Sequence, residues 1–311
     1  MAEEEIIPPV ERELIEAELN QDRFVRFTNK GNNEIYILNH HNSPHTMREI
    51  ARLREVSFRG AGGGTGHELD MDSYDTHDRC YEQLIVYSRE EQEIIGGYRF
   101  ITGAKAYDNK KDEYHLSTAK YFVFSEDMKK HYLPYSIELG RSWVQPDFQP
   151  SVNPRKGLFA LANIWDGLGA IIVNYPEMKY FFGKVTMYQS YQKEARDLLL
   201  AFLAYYFPDD NALCVPKPNL LTAFDDRLFH DQFSTKPPFQ EAFRTLQKLI
   251  RERGEYIPPL INIYMNLSST MITFGTALNP DFGGVEETGL LVTIADIYEE
   301  VKERHIAGYQ K

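Results

Sequence analysis

Apolar and polar residues alternate along the first third of the chain in patterns that predict regular elements. Glu34–Leu38 predicts a short strand, and Pro44 precedes apolar residues spaced as one face of a helix over 46–58. Tyr81–Tyr87 and Glu93–Thr102 both read as strands and are joined by a short polar turn, so we expect an antiparallel hairpin there.

The rest of the chain continues to alternate between strand and helix patterns. We predict a strand over 135–144, a helix over 156–173, a strand over Lys179–Met187, helices over Tyr191–Tyr206 and 241–253, and a final strand over Gly289–Ile294. This order favours a mixed, three-layer α/β fold and not a doubly wound parallel sheet.

Composition and charge limit the possible functions. The chain is 42% apolar and 13% aromatic, enough for a large core. Its formal net charge of −12 makes non-specific nucleic-acid binding unexpected, and an anionic membrane would repel the chain except at a local basic patch. The two cysteines, Cys80 and Cys214, lie far apart and match neither a disulfide framework nor a zinc pattern, so no metal is expected.

The two cysteines, the acidic N-terminal residues and the longest apolar run together predict a cytoplasmic protein. A reducing compartment suits two unpaired cysteines, and the acidic start is the reverse of a signal peptide. The apolar run from Gly157 to Tyr175 is barely long enough to span a bilayer and contains Asn163 and Asp166, which favours a buried helix.

Two conspicuous motifs carry no specific chemistry. The cluster of His40, His41 and His45 lacks the downstream Asp of one large acyltransferase class and the spaced partners of a zinc site, so a polar turn is preferred. The loop Gly62–Gly66 has neither the dinucleotide-binding spacing nor the Lys of a phosphate loop. It is either a flexible loop that closes over a ligand or a plain linker.

The predicted strand 135–144 contains two opposite charges, Glu138 and Arg141, where apolar residues are normal. Burial of a carboxylate and a guanidinium is costly unless both are paired. Strand positions three apart point to opposite faces unless a bulge intervenes, and Gly140 is the residue that would permit one. The pair therefore indicates either an active-site strand or an ion-pair network across a sheet.

Further charged residues occur in elements that should be apolar. Arg54 and Phe58 share one face of the first predicted helix, and Arg99 lies in the second hairpin strand. Asp72 and Asp75 follow in sequence between them, in an acidic loop. Their spacing alone fits an ordinary ion-pair network as well as a substrate site.

These residues appear in an order that resembles a known signature. Arg54-x-x-x-Phe58, Asp72-x-x-Asp75, Gly97-Tyr-Arg99 and Glu138-x-x-Arg141 resemble the acyl-homoserine-lactone synthases, GNAT-fold enzymes that take acyl chains from acyl carrier protein. The longer context is more similar to the ornithine-lipid synthase type of N-acyltransferase, whose members are also called hemolysin-like proteins. That context comprises Glu138–Ser142, Trp165–Leu168, Tyr180–Gly183, Ile257–Ile261, Tyr264 and Asn279–Gly283. The Glu-rich start and the glycine loop are most similar to its Bacteroidetes branch, which includes glycine-lipid N-acyl synthases.

The resemblance implies a GNAT-like catalytic core at 34–207, between an N-terminal extension (1–33) and a C-terminal extension (208–311) packed on the same domain. It implies transfer of a 3-hydroxy fatty acyl group from acyl carrier protein to the α-amine of an amino acid, giving a lyso-aminolipid. Glycine is the favoured acceptor and ornithine the second. No permanently bound cofactor is implied; the donor is acyl-phosphopantetheine on acyl carrier protein or coenzyme A. Peripheral contact with the cytoplasmic face of the inner membrane is a further expectation.

The same resemblance assigns roles to residues. Glu138 would be the base, with Arg141 and Arg99 orienting it or holding the acceptor's carboxylate, while backbone N–H groups near Trp143 and Val144 would bind the thioester oxygen. Substrate-binding residues would include Arg54, Phe58, Asp72 and Asp75. Tyr188 is the candidate general acid, and the helix start at Arg155, Lys156 and Gly157 would receive the pantetheine phosphate.

One departure from the superfamily keeps two other functions open. The Gln/Arg-x-x-Gly-x-Gly/Ala pattern of coenzyme-A-dependent GNAT enzymes is not matched at Arg155–Gly157, which agrees with a carrier-protein donor and also with loss of activity. The alternatives are an acetyl-CoA-dependent small-molecule N-acetyltransferase and a non-catalytic lipid-binding or hemolysin-like protein.

Overall fold

The computed structural model describes residues 3–233 and 235–310. Its strands are β1 (Phe24–Phe27), β2 (Glu34–Leu38), β3 (Glu82–Ser88), β4 (Glu93–Thr102), β5 (Tyr107–Asp108), β6 (Glu113–Tyr114), β7 (Phe122–Phe124), β8 (Ser136–Val144), β9 (Tyr180–Met187), β10 (Cys214–Pro216), β11 (Ile272–Asn279) and β12 (Val285–Thr293).

The helices connect these strands and cover the sheet. They are α1 (Arg12–Glu18), α2 (Pro44–Gly60), α3 (Ser73–Thr76), α4 (Gly103–Ala106), α5 (Pro154–Gly157), α6 (Ala160–Asn174), α7 (Lys193–Tyr206), α8 (Arg227–Gln232), α9 (Phe239–Arg251), α10 (Pro259–Met265) and α11 (Glu299–His305). Short 3₁₀ turns occur at Ser117–Lys120, Leu133–Tyr135, Pro146–Phe148 and Ile294–Asp296, and a π-helical turn at Met128–Tyr132.

One large sheet organises the molecule, and the predicted mixed α/β class is confirmed. Its order is β1-β2-β3-β4-β8-β9-β12-β11. All neighbouring strands are antiparallel except β8 and β9, which are parallel. The predicted hairpin is present as β3 and β4. Two small sheets, β7 with β10 and β5 with β6, lie beside the main one.

Helices pack on both faces of the main sheet. On one face, α2 places Met47, Ile50 and Leu53 in a cluster with Ile85 of β3 and Trp143 of β8. Residues of α6 and α7 pack on the other face, with Leu84, Tyr98 and Phe100. The segment Pro154–Asn174 is long and apolar enough to cross a membrane by length and composition, but most of it is buried in this core.

The structure corrects several predicted boundaries. The helix expected over 156–173 is divided into α5 and α6. The N-terminal segment contributes β1, which pairs with β2 at the edge of the sheet. The C-terminal third contributes β11 and β12, so the sheet extends well beyond residue 207. The chain regions that we predicted as extensions therefore supply three strands of the main sheet.

The two central strands diverge halfway along their length. Pairing between β8 and β9 runs from Ser136↔Tyr180 to Leu139↔Gly183 and then ends. Beyond that point β8 continues against β4, while β9 continues against β12. The gap between their C-terminal halves exposes backbone groups that a regular sheet would use for pairing.

Candidate active site

A cavity of about 550 Å³ fills the gap between the diverging strands. Its size lies within the roughly 300–1,000 Å³ that is typical of small-molecule sites. Arg141–Val144 of β8 form one side and Phe181–Thr186 of β9 the other. The segment Pro258–Leu260 and the helix residues Ala160 and Leu161 add an apolar wall. Among the described residues, three charged side chains line this mostly apolar space: Arg141, Lys184 and Glu287.

A β-bulge in β8 brings Arg141 into the cavity. Gly97 pairs with Trp143 and Arg99 with Gly140, so β8 has one residue more than β4 between these pairs. Arg141 itself takes up the left-handed backbone conformation, with φ +47°. The bulge that Gly140 was predicted to permit is present, and the positive φ within it belongs to Arg141 and not to Gly140. The extra residue places Arg141 on the same sheet face as Glu138, although regular alternation would separate them.

Arg141 does not orient Glu138. Its Nη2 donates to Oδ1 of Asp70 at 3.0 Å, and its Nε lies 2.8 Å from Oδ2 of the same residue. Arg141 also lies over the ring of Phe282, 4.0 Å from the centroid, with Phe58 farther away at 5.9 Å. Phe58 thus lies in the cavity wall beside Arg141.

Asp70 joins Arg141 to a buried ion-pair cluster, which we call the Arg54 network. It consists of Arg54, Asp70, Asp72, Asp75, Arg99 and Arg141. Arg54 is completely buried and bonds through Nε to Asp70 (2.9 Å) and through Nη2 to Asp75 (3.0 Å). Arg99 donates to Asp72 (2.9 Å) and Asp75 (3.2 Å). Of the six, only Arg141 lines the cavity, so Arg99 does not contact Glu138 or the cleft.

The polar side-chain atoms at the centre of the network are all hydrogen-bonded or ion-paired. Every side-chain nitrogen of Arg54 and every carboxylate oxygen of Asp70 and Asp75 has a partner. Burial acts to raise the pKa of Asp70, but Arg141 and Arg54 outweigh it and hold the value at about 2. The pKa of Asp72 is likewise held below its usual range by Arg99, against the effect of burial. These carboxylates therefore stay ionised and engaged.

Glu138 occupies a separate, polar pocket behind the cleft. The backbone N–H of Thr118 donates to its Oε1 at 2.8 Å and that of Ser117 to its Oε2 at 3.1 Å. The hydroxyls of Tyr81 and Thr118 also donate to it. Burial raises the pKa of Glu138 to about 7, although Thr118, Ser117 and the nearby Lys184 act to lower it. Its side chain is not among those that line the cavity.

The carboxylate that does line the cavity is Glu287 of β12. Its Oε2 lies 2.5 Å from Nζ of Lys184 on β9, a close charge contact rather than a well-directed hydrogen bond. Glu287 is 2% exposed. Burial lowers the pKa of Lys184, and Arg141 acts in the same direction, while Glu287 and Glu138 act to raise it. Arg141, Lys184 and Glu287 thus form one electrostatic group on the cleft.

Backbone geometry at the end of β8 separates Trp143 from Val144. Gln145 N–H donates to Ile95 of β4, so alternation turns the N–H of Trp143 toward β4 and that of Val144 toward the gap. Val144 N–H is therefore placed to donate to a group in the cavity. The Trp143 side chain lines the cavity, but its backbone pairs with Gly97.

The predicted phosphate-binding residues lie at the rim. Gly157 lines the cavity and packs so closely on Gln149 and Pro150 that a Cβ atom would lie 2.5 Å from the Pro150 nitrogen. Lys156 pairs with Glu91 at 2.5 Å, and Arg155 is exposed. The side chain of Asn153 caps this turn by accepting from the Lys156 N–H.

Tyr188 and the glycine loop meet on one side of the cleft. Tyr188 lines the cavity, and burial raises the pKa of its phenol. A Cβ on Gly63 would lie 3.0 Å from the Tyr188 ring and 3.3 Å from Phe282, so the loop packs on this wall. Glu55, which is completely buried, accepts from the Thr65 and Gly66 N–H groups and anchors the loop. The loop therefore packs against two side chains of the cavity wall and is not a plain linker.

Three site residues, Asp70, Lys184 and Glu287, were not predicted from the sequence. Asp70 lies in the same acidic loop as Asp72 and Asp75, and its neighbours in sequence do not distinguish it from them. Lys184 interrupts an apolar strand in the way that Glu138 does, and could have been found on that ground. Glu287 follows the turn at 279–284, where polar residues are normal. The reaction roles of the predicted residues stay predictions.

Comparison with known proteins identifies the family. A model of the acetyltransferase (GNAT) domain matches residues 53–155. The glycine N(alpha)-acyltransferase of Bacteroides thetaiotaomicron is 50% identical over 98% of this chain and 90% of its own length. The enzyme of the same description from Phocaeicola vulgatus is 47% identical over 99% of the chain and 94% of its length. The chain belongs to this N-acyltransferase family. No solved structure matches it significantly.

Membership fixes the type of reaction and fits the geometry. The protein is a GNAT acyltransferase that forms N-acyl products. The range matched by the domain model covers α2 through β8 and stops before α6. It includes the Arg54 network and Glu138, whereas Lys184 and Glu287 lie outside it. One side of the cleft, formed by β8, therefore lies within the matched GNAT domain. The other side, formed by β9 and β12, lies outside the matched range.

Proposed function

We propose that this N-acyltransferase moves a 3-hydroxy fatty acyl group from the phosphopantetheine of acyl carrier protein to the α-amine of glycine, giving a lyso-aminolipid. The observation that carries the proposal is the cavity between β8 and β9. It combines an apolar wall, a free backbone donor and charges of both signs. The two relatives described as glycine N(alpha)-acyltransferases support glycine as the acceptor.

The apolar wall is suited to an acyl chain. Leu139, Phe181, Val185 and Leu290 continue from the sheet, and Leu260 comes from α10. Removing such a chain from water contributes about 0.8 kcal/mol for each buried CH₂ group. A long-chain donor is therefore favoured over acetyl groups, which would leave most of this wall uncovered.

The chemistry follows from the groups around the gap. The acceptor's ammonium must lose a proton before attack, and we assign that proton to Glu138 through one water, since a carboxyl with a pKa of about 7 suits this exchange. The amine nitrogen then bonds to the thioester carbon and the C–S bond breaks. Val144 N–H stabilises the developing oxyanion. Tyr188 protonates the leaving thiolate, and the attacking nitrogen loses its second proton to the Tyr188 phenolate, which restores the phenol.

The rim of the cleft supports a macromolecular donor. Gly157 lies in the wall beside the exposed cation Arg155, and the sequence at Arg155–Gly157 does not match the pattern of coenzyme-A-dependent GNAT enzymes. A phosphopantetheine arm would place its phosphate there and its thioester at Val144. Two residues next to the wall, Val152 and Leu158, are 61% and 65% exposed. Such side chains suit peripheral contact with a membrane that receives the product.

A direct test uses the purified protein, 3-hydroxypalmitoyl acyl carrier protein and an equimolar mixture of glycine, ornithine, lysine and serine. We expect N-acylglycine to be the main product by mass spectrometry, and no product without the protein. Predominant acylornithine would overturn the acceptor. Turnover with acetyl-CoA and none with the carrier-protein donor would replace the donor proposal with a small-molecule acetyltransferase.

A further inference from the structure

The cavity contains a buried carboxylate oxygen that the fold leaves without a partner. This oxygen is Oε2 of Glu287, which makes no hydrogen bond to any residue from 3 to 233 or from 235 to 310 and has only its charge contact with Lys184. Oε1 accepts no hydrogen bond from these residues either. Glu287 is nevertheless 2% exposed and lines the cleft. An ionised carboxylate removed from water and incompletely bonded is costly, so its retention calls for a ligand.

The carboxylates of the Arg54 network cannot serve the same purpose. Both oxygens of Asp70 and of Asp75 accept from side chains of the network, and neither residue lines the cavity. Glu138 is bonded on both oxygens by Ser117 and Thr118 and also lies behind the wall. Among the described residues, Glu287 is the one acidic side chain that lines this cavity.

The cations of the cleft complete a pattern of charges. Arg141 uses Nε and Nη2 for Asp70, and its Nη1 makes no hydrogen bond within the described part of the chain. Lys184 has an ammonium group with three donors, of which one faces Glu287. A single carboxylate opposite two cations matches a zwitterion with one ammonium and one carboxylate group. A neutral amine would offer no carboxylate to the donors that Arg141 and Lys184 leave free.

We propose that Glu287 binds the α-ammonium group of the acceptor amino acid, and that Arg141 and Lys184 receive its carboxylate. The inference rests on the proposed function and adds to it the residues that hold the acceptor. Glu287 binds the ammonium group and Glu138 removes its proton. The two carboxylates therefore have separable kinetic effects. Loss of Glu287 raises KM for the acceptor, whereas loss of Glu138 lowers kcat.

Steady-state kinetics of Glu287→Gln with varied glycine and saturating acyl carrier protein donor test the assignment. The change removes one charge-assisted hydrogen bond, so we expect KM for glycine to rise about tenfold to a hundredfold. KM for the donor should stay within about twofold, because no donor contact is lost. Glu286→Gln is the matched control. The Glu286 carboxylate accepts hydrogen bonds from Arg196 and does not line the cleft, so KM for glycine should not change.

Acetate separates binding of the ammonium group from general damage. It has the acceptor's carboxylate without the ammonium, so as a competitive inhibitor it should bind Glu287→Gln at least as well as the wild type. If glycine and acetate weaken together, Glu287 only maintains the cavity and the assignment fails. An unchanged glycine KM in Glu287→Gln also overturns it, provided that the wild type makes N-acylglycine.

A second variant covers the case in which Lys184 is left as an unpaired buried charge. If Glu287→Gln does not fold, the double variant Lys184→Met with Glu287→Gln removes both charges, and the rise in glycine KM should persist. A double variant that folds and keeps the wild-type KM contradicts the proposal. A wild-type protein that forms no N-acylglycine would instead overturn the proposed function on which the inference rests.

Discussion

Two sets of buried charges lie on the same face of this sheet, and they differ in how completely they are bonded. In the Arg54 network, Arg54, Asp70 and Asp75 have a partner for every polar side-chain atom. The pair Lys184 and Glu287 leaves donors and an acceptor facing the cleft. Arg54, Asp70 and Asp75 have no free polar side-chain atom to offer a substrate, whereas Lys184 and Glu287 do, as does Nη1 of Arg141.

From this difference we infer that the Arg54 network has a structural role. It joins α2, the acidic loop around α3, β4 and β8, and it fixes the bulge that turns Arg141 into the cavity. The signature residues thus shape the cleft from behind. The open pair on β9 and β12 faces the space where an acceptor must bind. Changes in the two sets should therefore affect different measurements.

The largest effect is expected when the centre of the network is removed. Arg54→Met leaves Asp70 and Asp75 buried without their main counter-charge, so we expect a loss of about 3–5 kcal/mol in the free energy of unfolding. Denaturant unfolding or failure to accumulate as folded protein reports this. Arg52→Met on the same helix breaks only a partly exposed pair with Glu49 and should cost less than about 1 kcal/mol. Equal losses in both variants would refute a special role for the network.

The next effect concerns the reaction and not the fold. Glu138→Gln should lower kcat by about 10²–10⁴, the usual contribution of a general base, with KM for glycine nearly unchanged. Circular dichroism and kinetics on the same preparation separate activity from folding. Full activity in a folded Glu138→Gln protein would remove Glu138 from the mechanism and leave proton transfer to a group inside the cavity.

The pH dependence of stability should differ between the two kinds of carboxylate. Since the pKa of Glu138 is raised from 4.5 to about 7, its contribution is fully present below pH 4.5 and is lost as pH rises through 7, by about 3 kcal/mol. Asp70, with its pKa at about 2, contributes above pH 3.8 and loses this as pH falls through 2. Denaturant unfolding from pH 4 to 8 should show wild type weakening relative to Glu138→Gln. Parallel curves would contradict the raised pKa.

The smallest effect is expected at the rim. Arg155→Ala removes one exposed cation and should raise KM for the carrier-protein donor by up to about fivefold, more strongly at low ionic strength. Lys130→Ala, an exposed cation on the π-helical turn, serves as the matched control and should leave this KM unchanged. A salt-independent KM in both variants would remove electrostatic donor binding from this rim.

Local patterns predicted most of the fold. The β3–β4 hairpin, α2 and β8 were found because each has a clear period and is bounded by turn residues. The segment after Pro258 contains both α10 and β11, and the mostly polar stretch 266–271 separates them. β12 begins earlier than predicted because Glu286 and Glu287 resemble a continuation of the preceding turn.

The site was predicted less completely for a non-local reason. Glu138 and Arg141 were singled out as charges in an apolar strand, and Arg54 and Arg99 by their order in a signature. Their partners depend on which distant segments meet: Asp70 lies far from Arg141 in sequence, and β12 joins β9 only through the folded sheet. Whether a charged side chain has all its hydrogen-bond partners depends on the folded structure, so the sequence does not show it.

A crystal structure with glycine and a non-hydrolysable acyl-pantetheine analogue tests the central claim most directly. We expect the glycine nitrogen within about 2.7–3.2 Å of a Glu287 oxygen, its carboxylate facing Arg141 or Lys184, and the Arg54 network unchanged. Glycine bound instead to Asp72 or Glu138, with the contact between Lys184 and Glu287 undisturbed, would contradict the account.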